Sequence, residues 1–227
     1  MNAVRIFNEK EVDELIVLDI DASIRGLEPD YSLVANLAGE CRMPLCYGGG
    51  VKSSDQIEKL VSLGVEKVAL GSSAIYKPLL IEESAKRVGN QSIVVVMDVK
   101  KTGILSIRHE IFTHNGTKPT GYHPVEFARQ MESMGAGEIL LNSIDRDGSM
   151  KGFDFDLIDT IRNNLKIPLT VLGGAGSLSD FQSLIARYGL IGAAAGSYFV
   201  FKGKYRAVLI QYVSEIDKAQ INSALEK

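Results

Sequence analysis

The chain has 227 residues, is 45% hydrophobic and carries a formal charge of −3. That length suits one α/β domain or two small ones with a sizeable core. No apolar run approaches the roughly 18 residues of a membrane span. No h-region follows Met1-Asn2-Ala3-Val4-Arg5, and no basic run points to nucleic acid. Cys41 and Cys46 are too few for an export framework and read as free thiols of a reducing cytoplasm. His109, His114 and His123 share one segment without zinc spacing, so no metal or other cofactor is expected.

In chain order, Ala3 to Asp13 has helical period. Leu15 to Asp19 is a short buried strand ending in an acid, and Asp30 to Gly39 a helix. Pro44 to Tyr47 is a strand running into Gly48-Gly49-Gly50. Ser53 or Ser54 caps a helix carrying Ile57, Leu60 and Val61. Lys67 to Gly71 is a strand and Pro78 to Val88 a helix. Ile93 to Asp98 is an apolar run without alternation, as in a strand buried on both faces of a parallel sheet. Ile104 to Arg108 and Glu110 to Thr113 partly alternate, with an Asn115-Gly116 turn, so a small antiparallel excursion is expected from Thr102 to Tyr122. Then follow helix Pro124–Met134, strand Glu138–Asn142, helix Phe155–Asn164, strand Pro168–Leu172, helix Leu178–Tyr188, strand Gly192–Gly196 and helix Val208–Ala224. Strands alternating with helices predict a parallel sheet in one domain over residues 1–227.

Gly48-Gly49 recurs 125 residues on as Gly173-Gly174, and Gly71-Ser72 recurs at the same interval as Gly196-Ser197. Asp19 and Asp145 each follow an apolar strand at nearly that spacing. Three coincidences in register indicate a duplicated half. The second half holds four strands and the first only three, and a counterpart of Asp98 would fall before Met1. The expectation is a (β/α)8 TIM barrel with half-barrel duplication whose first strand is missing from this chain. Such a barrel is unclosed, with an exposed strand edge and a tendency to associate.

A carboxylate at the C-terminal end of a barrel strand sits where α/β barrels do chemistry, and Asp98 holds that place. Glycine-rich turns there offer backbone N–H groups to phosphate. Gly49, Gly50, Gly71 and Ser72 form one candidate cradle, and Gly173, Gly174, Gly196 and Ser197 a second across the mouth. The alternative is that these glycines only permit tight turns. Asp98 projects between the cradles, placed for proton transfer. Asp147, beside Gly148, either orients substrate or caps the next helix.

Leu18 to Ser23, Gly48 to Val51, Met97 to Lys100, Gly135 to Leu141, Ser143 to Gly148 and Gly173 to Gly176 resemble the cyclase subunit family (HisF) of imidazole glycerol phosphate synthase over nearly the whole chain. The resemblance implies a glutaminase partner (HisH-like) that feeds ammonia through the barrel. It also implies a diphosphorylated ribulosyl aminoimidazole carboxamide substrate, cleaved and cyclised by two aspartates acting as acid and base. One of these matches Asp98 and the other has no counterpart here. Family residues gating ammonia match Glu14, Lys67 and Glu138, as a charged ring or as ordinary surface ion pairs. Asp19, Cys46, Lys100, Asn142 and Leu172 are expected to line the site. Four positions depart from the family: Cys46 and Asn142 replace threonines, Leu172 a serine, and Gly71-Ser72 an Asn-Thr pair. With the segment Phe199 to Arg206, these look like paralogues from surface-polysaccharide gene sets that supply ammonia for sugar amidation. The readings in play are the histidine-pathway cyclase-lyase, that paralogue, a non-catalytic phosphate-binding scaffold and, more weakly, a sugar-phosphate isomerase of the sister family.

Overall fold

The computed structural model describes residues 2–103 and 108–223. Its elements run α1 (Asn2–Glu9), β1 (Leu15–Leu18), α2 (Ala22–Arg25), α3 (Tyr31–Glu40), β2 (Leu45–Gly48), α4 (Ser54–Ser62), β3 (Lys67–Leu70), α5 (Ser72–Tyr76), α6 (Leu79–Val88) and β4 (Ile93–Thr102). After these come β5 (Arg108–Thr113), β6 (Lys118–Pro119), α7 (Pro124–Ser133), β7 (Glu138–Ser143), α8 (Phe155–Arg162), β8 (Leu169–Leu172), α9 (Leu178–Tyr188), β9 (Gly192–Ala193), α10 (Ser197–Val200), β10 (Phe201–Lys202), β11 (Ala207–Val208) and α11 (Glu215–Asn222).

The sheet runs β1-β2-β3-β4-β7-β8-β9, every neighbouring pair parallel. It is the curled parallel sheet of a (β/α)8-type fold, surrounded by helices. Among the described residues β1 and β9 are the two ends of the path and do not pair. The seam shows in burial: all four residues of β1 are half-exposed, whereas those of β2 are buried.

β4 shows why its sequence has no polar alternation. Ile93, Val95, Met97 and Val99 face outward into the main core, with Phe127, Met131 and Ile81 from the helices. Val94 and Val96 face the barrel interior with Cys46, Ala69, Leu140, Ile16, Leu18 and Leu172. Both faces bury apolar surface, at roughly 25 cal/mol per Å². The helices present matching stripes: Ile57 and Leu60 on α4, Leu157 and Ile161 on α8, Phe181 and Leu184 on α9. Ser53 caps α4 by accepting from Gln56 N–H at 3.3 Å, and Ser177 with Asp180 forms a capping box on α9.

Several expected boundaries differ, and the strand expected over Gly192–Gly196 spans only Gly192–Ala193. β4 does not stop at Asp98 but continues to Thr102. Beyond Val95 its edge is released by β3, and β5 takes up that edge antiparallel, from Asp98↔Phe112 to Thr102↔Arg108. The excursion therefore begins four residues earlier than expected; Ile104 to Ile107 lie outside the described residues. Its turn passes through His114, Asn115 and Gly116, all at positive φ, and packs on Ile144. The first helix ends at Glu9, and Glu11 at φ 53 turns the chain toward β1. The last helix starts at Glu215 rather than Val208, because Ala207–Val208 pairs with Phe201–Lys202 and a Ser214–Asp217 capping box fixes the helix start.

Candidate functional site

Asp98 lies on the inner face of β4, in register with Asn142 of β7. Asn142 Nδ2 donates to Asp98 Oδ1 at 2.8 Å, while the Asn142 Oδ1 is buried without a partner. Burial pushes the Asp98 pKa up, the Asn142 hydrogen bond pulls it down, and the charge of Asp147 raises it; the net direction is up. The group holds a proton to higher pH than an ordinary aspartate, as a general acid or base needs. Leu172 pairs with Asn142 on the next strand, at the same rim. Lys100 sits two residues beyond Asp98, paired with Glu110, its Nζ 5.7 Å from the Phe112 ring centroid. Asp147 is exposed and its N–H donates to the Ser143 carbonyl at 2.9 Å.

The glycines divide into two kinds. Gly49 and Gly50 (φ 131 and 70) and Gly173 and Gly174 (φ 98 and 110) are in the left-handed region. A Cβ on Gly49 would lie 2.6 Å from that of Asp19, on Gly50 2.6 Å from the Leu27 carbonyl, and on Gly173 2.7 Å from the Ser143 carbonyl. On Gly174 it would run into the Gly152 carbonyl. The fold itself requires these four, which is the tight-turn alternative. Gly71 and Gly196 differ: φ is −99 and −97, and a Cβ would meet Val96 at 3.8 Å at Gly71 and nothing within 4 Å at Gly196. Among the described residues none would clash with a Cβ at these two repeat-related places. Each leads a short helix, beginning at Ser72 and at Ser197.

One expected lining residue is placed otherwise. Cys46 was expected to face substrate, but it is 1% exposed, two residues below the end of β2 and sealed by Ala69, Val94 and Leu140. Burial pushes its thiol up to about 12. It belongs to the barrel interior because its inward position on β2 is one pleat beneath Gly48. Asp19 stays at the rim, exposed just after β1 and against Gly49, and its Oδ1 accepts from the N–H groups of Asp21 and Ala22 at 3.2 and 3.1 Å at the start of α2.

At the opposite, N-terminal side, Lys67 Nζ donates to Glu14 Oε2 and Glu138 Oε2, both at 2.9 Å. Thr170 Oγ1 donates to Glu138 Oε1 at 2.6 Å. Burial lowers the Lys67 pKa, but the two carboxylate bonds outweigh it and the net direction is up. Both bonds share Lys67, so the three charges form one linked cluster at the N-terminal ends of β1, β3 and β7. Lys67 stands beside Cys46 in register on the neighbouring strand.

Sequence reasoning missed Arg206, whose guanidinium reaches Ser197 Oγ at 3.2 Å and the Gly148 carbonyl at 3.5 Å. No local pattern announces a contact spanning 58 residues. It also missed Lys101 Nζ on the buried Asp154 at 2.9 Å, an ion pair that ties the β4 extension to α8. Among the described residues no group of three or more His, Cys, Asp or Glu side chains is arranged to hold a metal ion. None of the described helices is long and apolar enough to cross a membrane.

Comparison with known proteins follows the same lines. A model of the family described as histidine biosynthesis protein matches residues 1–206. A Leptospira borgpetersenii protein named "Putative imidazole glycerol phosphate synthase subunit HisF" is 55% identical over 218 residues, covering 96% of this chain and 85% of the relative. A Pseudomonas aeruginosa protein named "Putative imidazole glycerol phosphate synthase subunit hisF2" is 51% identical over 219 residues, covering 96% and 86%. The "Imidazole glycerol phosphate synthase subunit HisF" of Pelodictyon phaeoclathratiforme is 37% identical over 202 residues, covering 89% and 79%. The curled parallel sheet, the duplicated glycine turns and these relatives together place the chain in the histidine biosynthesis protein family, among its HisF-like members.

Proposed function

We propose that the chain is the ammonia-using lyase and cyclase subunit of a glutamine amidotransferase complex. Its substrate is a small molecule with a phosphate at each end, spanning Asp98. The observation that carries this reading is the pair Gly71 and Gly196. Both are glycine where the fold leaves room for a side chain, at symmetry-related places on the rim. Space kept free on both sides of one protonatable acid suits a ligand that brings an anion close to backbone at each end.

Asp98 transfers the proton. Its pKa is raised, so it donates as the acid, and the resulting carboxylate is held by the Asn142 amide. The residues named for phosphate binding, Gly49, Gly50, Gly71, Ser72, Gly148, Gly173, Gly174, Gly196 and Ser197, act as two cradles. Gly71, Ser72, Gly196 and Ser197 meet the ligand, and the others shape the turns. Asp147 tunes Asp98 by its charge. The Glu14–Lys67–Glu138 ring is the ammonia inlet from a glutaminase partner: moving Lys67 opens the N-terminal side toward the small interior cluster.

In the histidine-pathway reading, the product is imidazole glycerol phosphate, the reaction carried in the name of the Pelodictyon relative. A second reading, ammonia delivery for sugar amidation, is favoured by one observation. Asn142, a departure from the family's threonine, makes the only hydrogen bond recorded to the Asp98 carboxylate among the described residues. Expression of this chain with a glutaminase subunit in a strain lacking the histidine-pathway cyclase separates the two. Growth without histidine supports the first. No growth, with soluble protein and intact glutaminase coupling, rejects it in favour of the second. Loss of ammonia coupling in vitro rejects both.

A further inference from the structure

From Tyr198 to Ser214 the chain has no acidic residue and three basic ones, Lys202, Lys204 and Arg206. This stretch includes the β10–β11 hairpin, paired Phe201↔Val208 and Lys202↔Ala207. Arg206 stands at its turn at φ 49, an uncommon conformation for a residue with a side chain. Its guanidinium lies over the Phe201 ring, Cζ 4.8 Å from the centroid, which fixes the direction of the fork. Nη2 donates to Ser197 Oγ and Nη1 to the Gly148 carbonyl. Ser197 follows Gly196 in the second cradle. Gly148 belongs to the loop after β7, which returns to the same cradle where Gly152 N–H donates to the Gly174 carbonyl at 2.7 Å.

The guanidinium therefore joins the two loops that bound the second cradle, and among the described residues no carboxylate forms an ion pair with it. Both of its recorded acceptors are neutral, so its charge stands uncompensated and its remaining N–H groups are free for an oxyanion. The first cradle has no counterpart of it at the repeat position. The position 125 residues before Arg206 is Ile81, buried on α6, and the cation nearest in sequence to that cradle, Lys52, is tied to the Gly26 carbonyl at 2.9 Å.

We propose that Arg206 is a phosphate-binding residue of the second cradle. It clamps the phosphate end of the substrate, and the β10–β11 hairpin makes the two ends of the site unequal. This rests on the two-cradle reading and adds which end is gripped by a cation. The ligand class is a phosphate monoester whose dianion matches the fork.

Phosphate-soaked crystals of the wild-type chain, Arg206→Ala and Arg206→Gln test it, with occupancy at each cradle followed against phosphate concentration. The expected result is phosphate at both cradles in the wild type. In both variants the second cradle binds about ten-fold more weakly or worse, and the first is unchanged. Arg206→Gln can keep the two neutral hydrogen bonds without the charge, so it separates a clamp from a structural brace and covers the case where Arg206→Ala fails to fold. Unchanged occupancy of the second cradle in the variants overturns the proposal alone. A wild-type chain with both cradles empty overturns the two-cradle reading and this proposal with it.

Discussion

The first cradle, Gly48 to Gly50 with Gly71-Ser72, and the second, Gly173-Gly174 with Gly196-Ser197, share a spacing and a division of labour but not their surroundings. In each, the glycines directly after the strand are held at positive φ against a neighbouring carbonyl or side chain, and the glycine after the next strand is not. The first cradle leans on Asp19 of the β1–α2 loop and Leu27 of the α2–α3 loop, beside the open seam. The second leans on the β7–α8 loop through Ser143 and Gly152 and carries the basic β10–β11 hairpin. Equal spacing in sequence thus marks two turns of one kind, while the chemistry at each is set by whatever the rest of the chain lays beside it.

The comparison breaks most completely at the acid between the cradles. Asp98→Asn leaves both cradles intact and is expected to lower turnover by about 10²–10⁴-fold with anion binding retained. It also changes stability with a definite sign. The folded chain holds the Asp98 proton to higher pH than the unfolded chain, so the wild type loses stability as pH rises from about 4 through the folded-state value. Denaturant titrations should therefore find Asp98→Asn more stable than wild type at pH 7, with the advantage gone below about pH 4.

A glycine exchange separates the two kinds. Gly174→Ala, at φ 110 and against the Gly152 carbonyl, should cost about 2 kcal/mol or more of folding stability by chemical denaturation. Gly71→Ala and Gly196→Ala should leave the denaturation midpoint nearly unchanged and weaken phosphate binding by about ten-fold each, measured by titration. Equal destabilisation of all three would erase the distinction.

A smaller effect is expected below the mouth. Lys67→Ala leaves Glu14 and Glu138 facing each other without their shared cation, for about 1 kcal/mol of stability in these half-exposed positions. Its larger signature should be loss of glutamine-driven turnover with turnover on added ammonium retained. The smallest effect concerns the thiols: Cys41, half-exposed, should react with a maleimide in the folded chain well before Cys46, sealed in the interior.

Much of this was legible in the residues. Strands buried on both faces write themselves as unbroken apolar runs, so β4, β7 and β8 were readable, and the acid inside β4 with them. The 125-residue interval exposed the duplication without any geometry. What failed to read was decided at long range. Asp98 looked like a strand end because the partner that extends β4 to Thr102 is β5, across a hairpin. Val208, Tyr212 and Ile216 have helical spacing, yet strand pairing with Phe201 claims the start of that stretch, and Tyr212 instead packs 4.8 Å from the Phe199 ring and donates to Asp13. The Ser214–Asp217 box was the local signal for the true helix start. Cys46 was expected to line the site because it stands where the resembling family has a threonine, whereas here it is packed inward beneath Gly48 with Ala69, Val94 and Leu140. The segment Phe199 to Arg206 stood out as paralogue-like and basic, but nothing in it pointed to the contact of Arg206 with Ser197 and Gly148.

The central claim is that two anion sites flank one protonatable acid at the barrel mouth. A crystal structure of this chain soaked in sulfate tests it most directly. The account predicts one sulfate at Gly71-Ser72 and one at Gly196-Ser197, with the Asp98 carboxyl facing the space between them. Sulfate at neither place, with the Asp98 side chain turned away from the mouth, would contradict it.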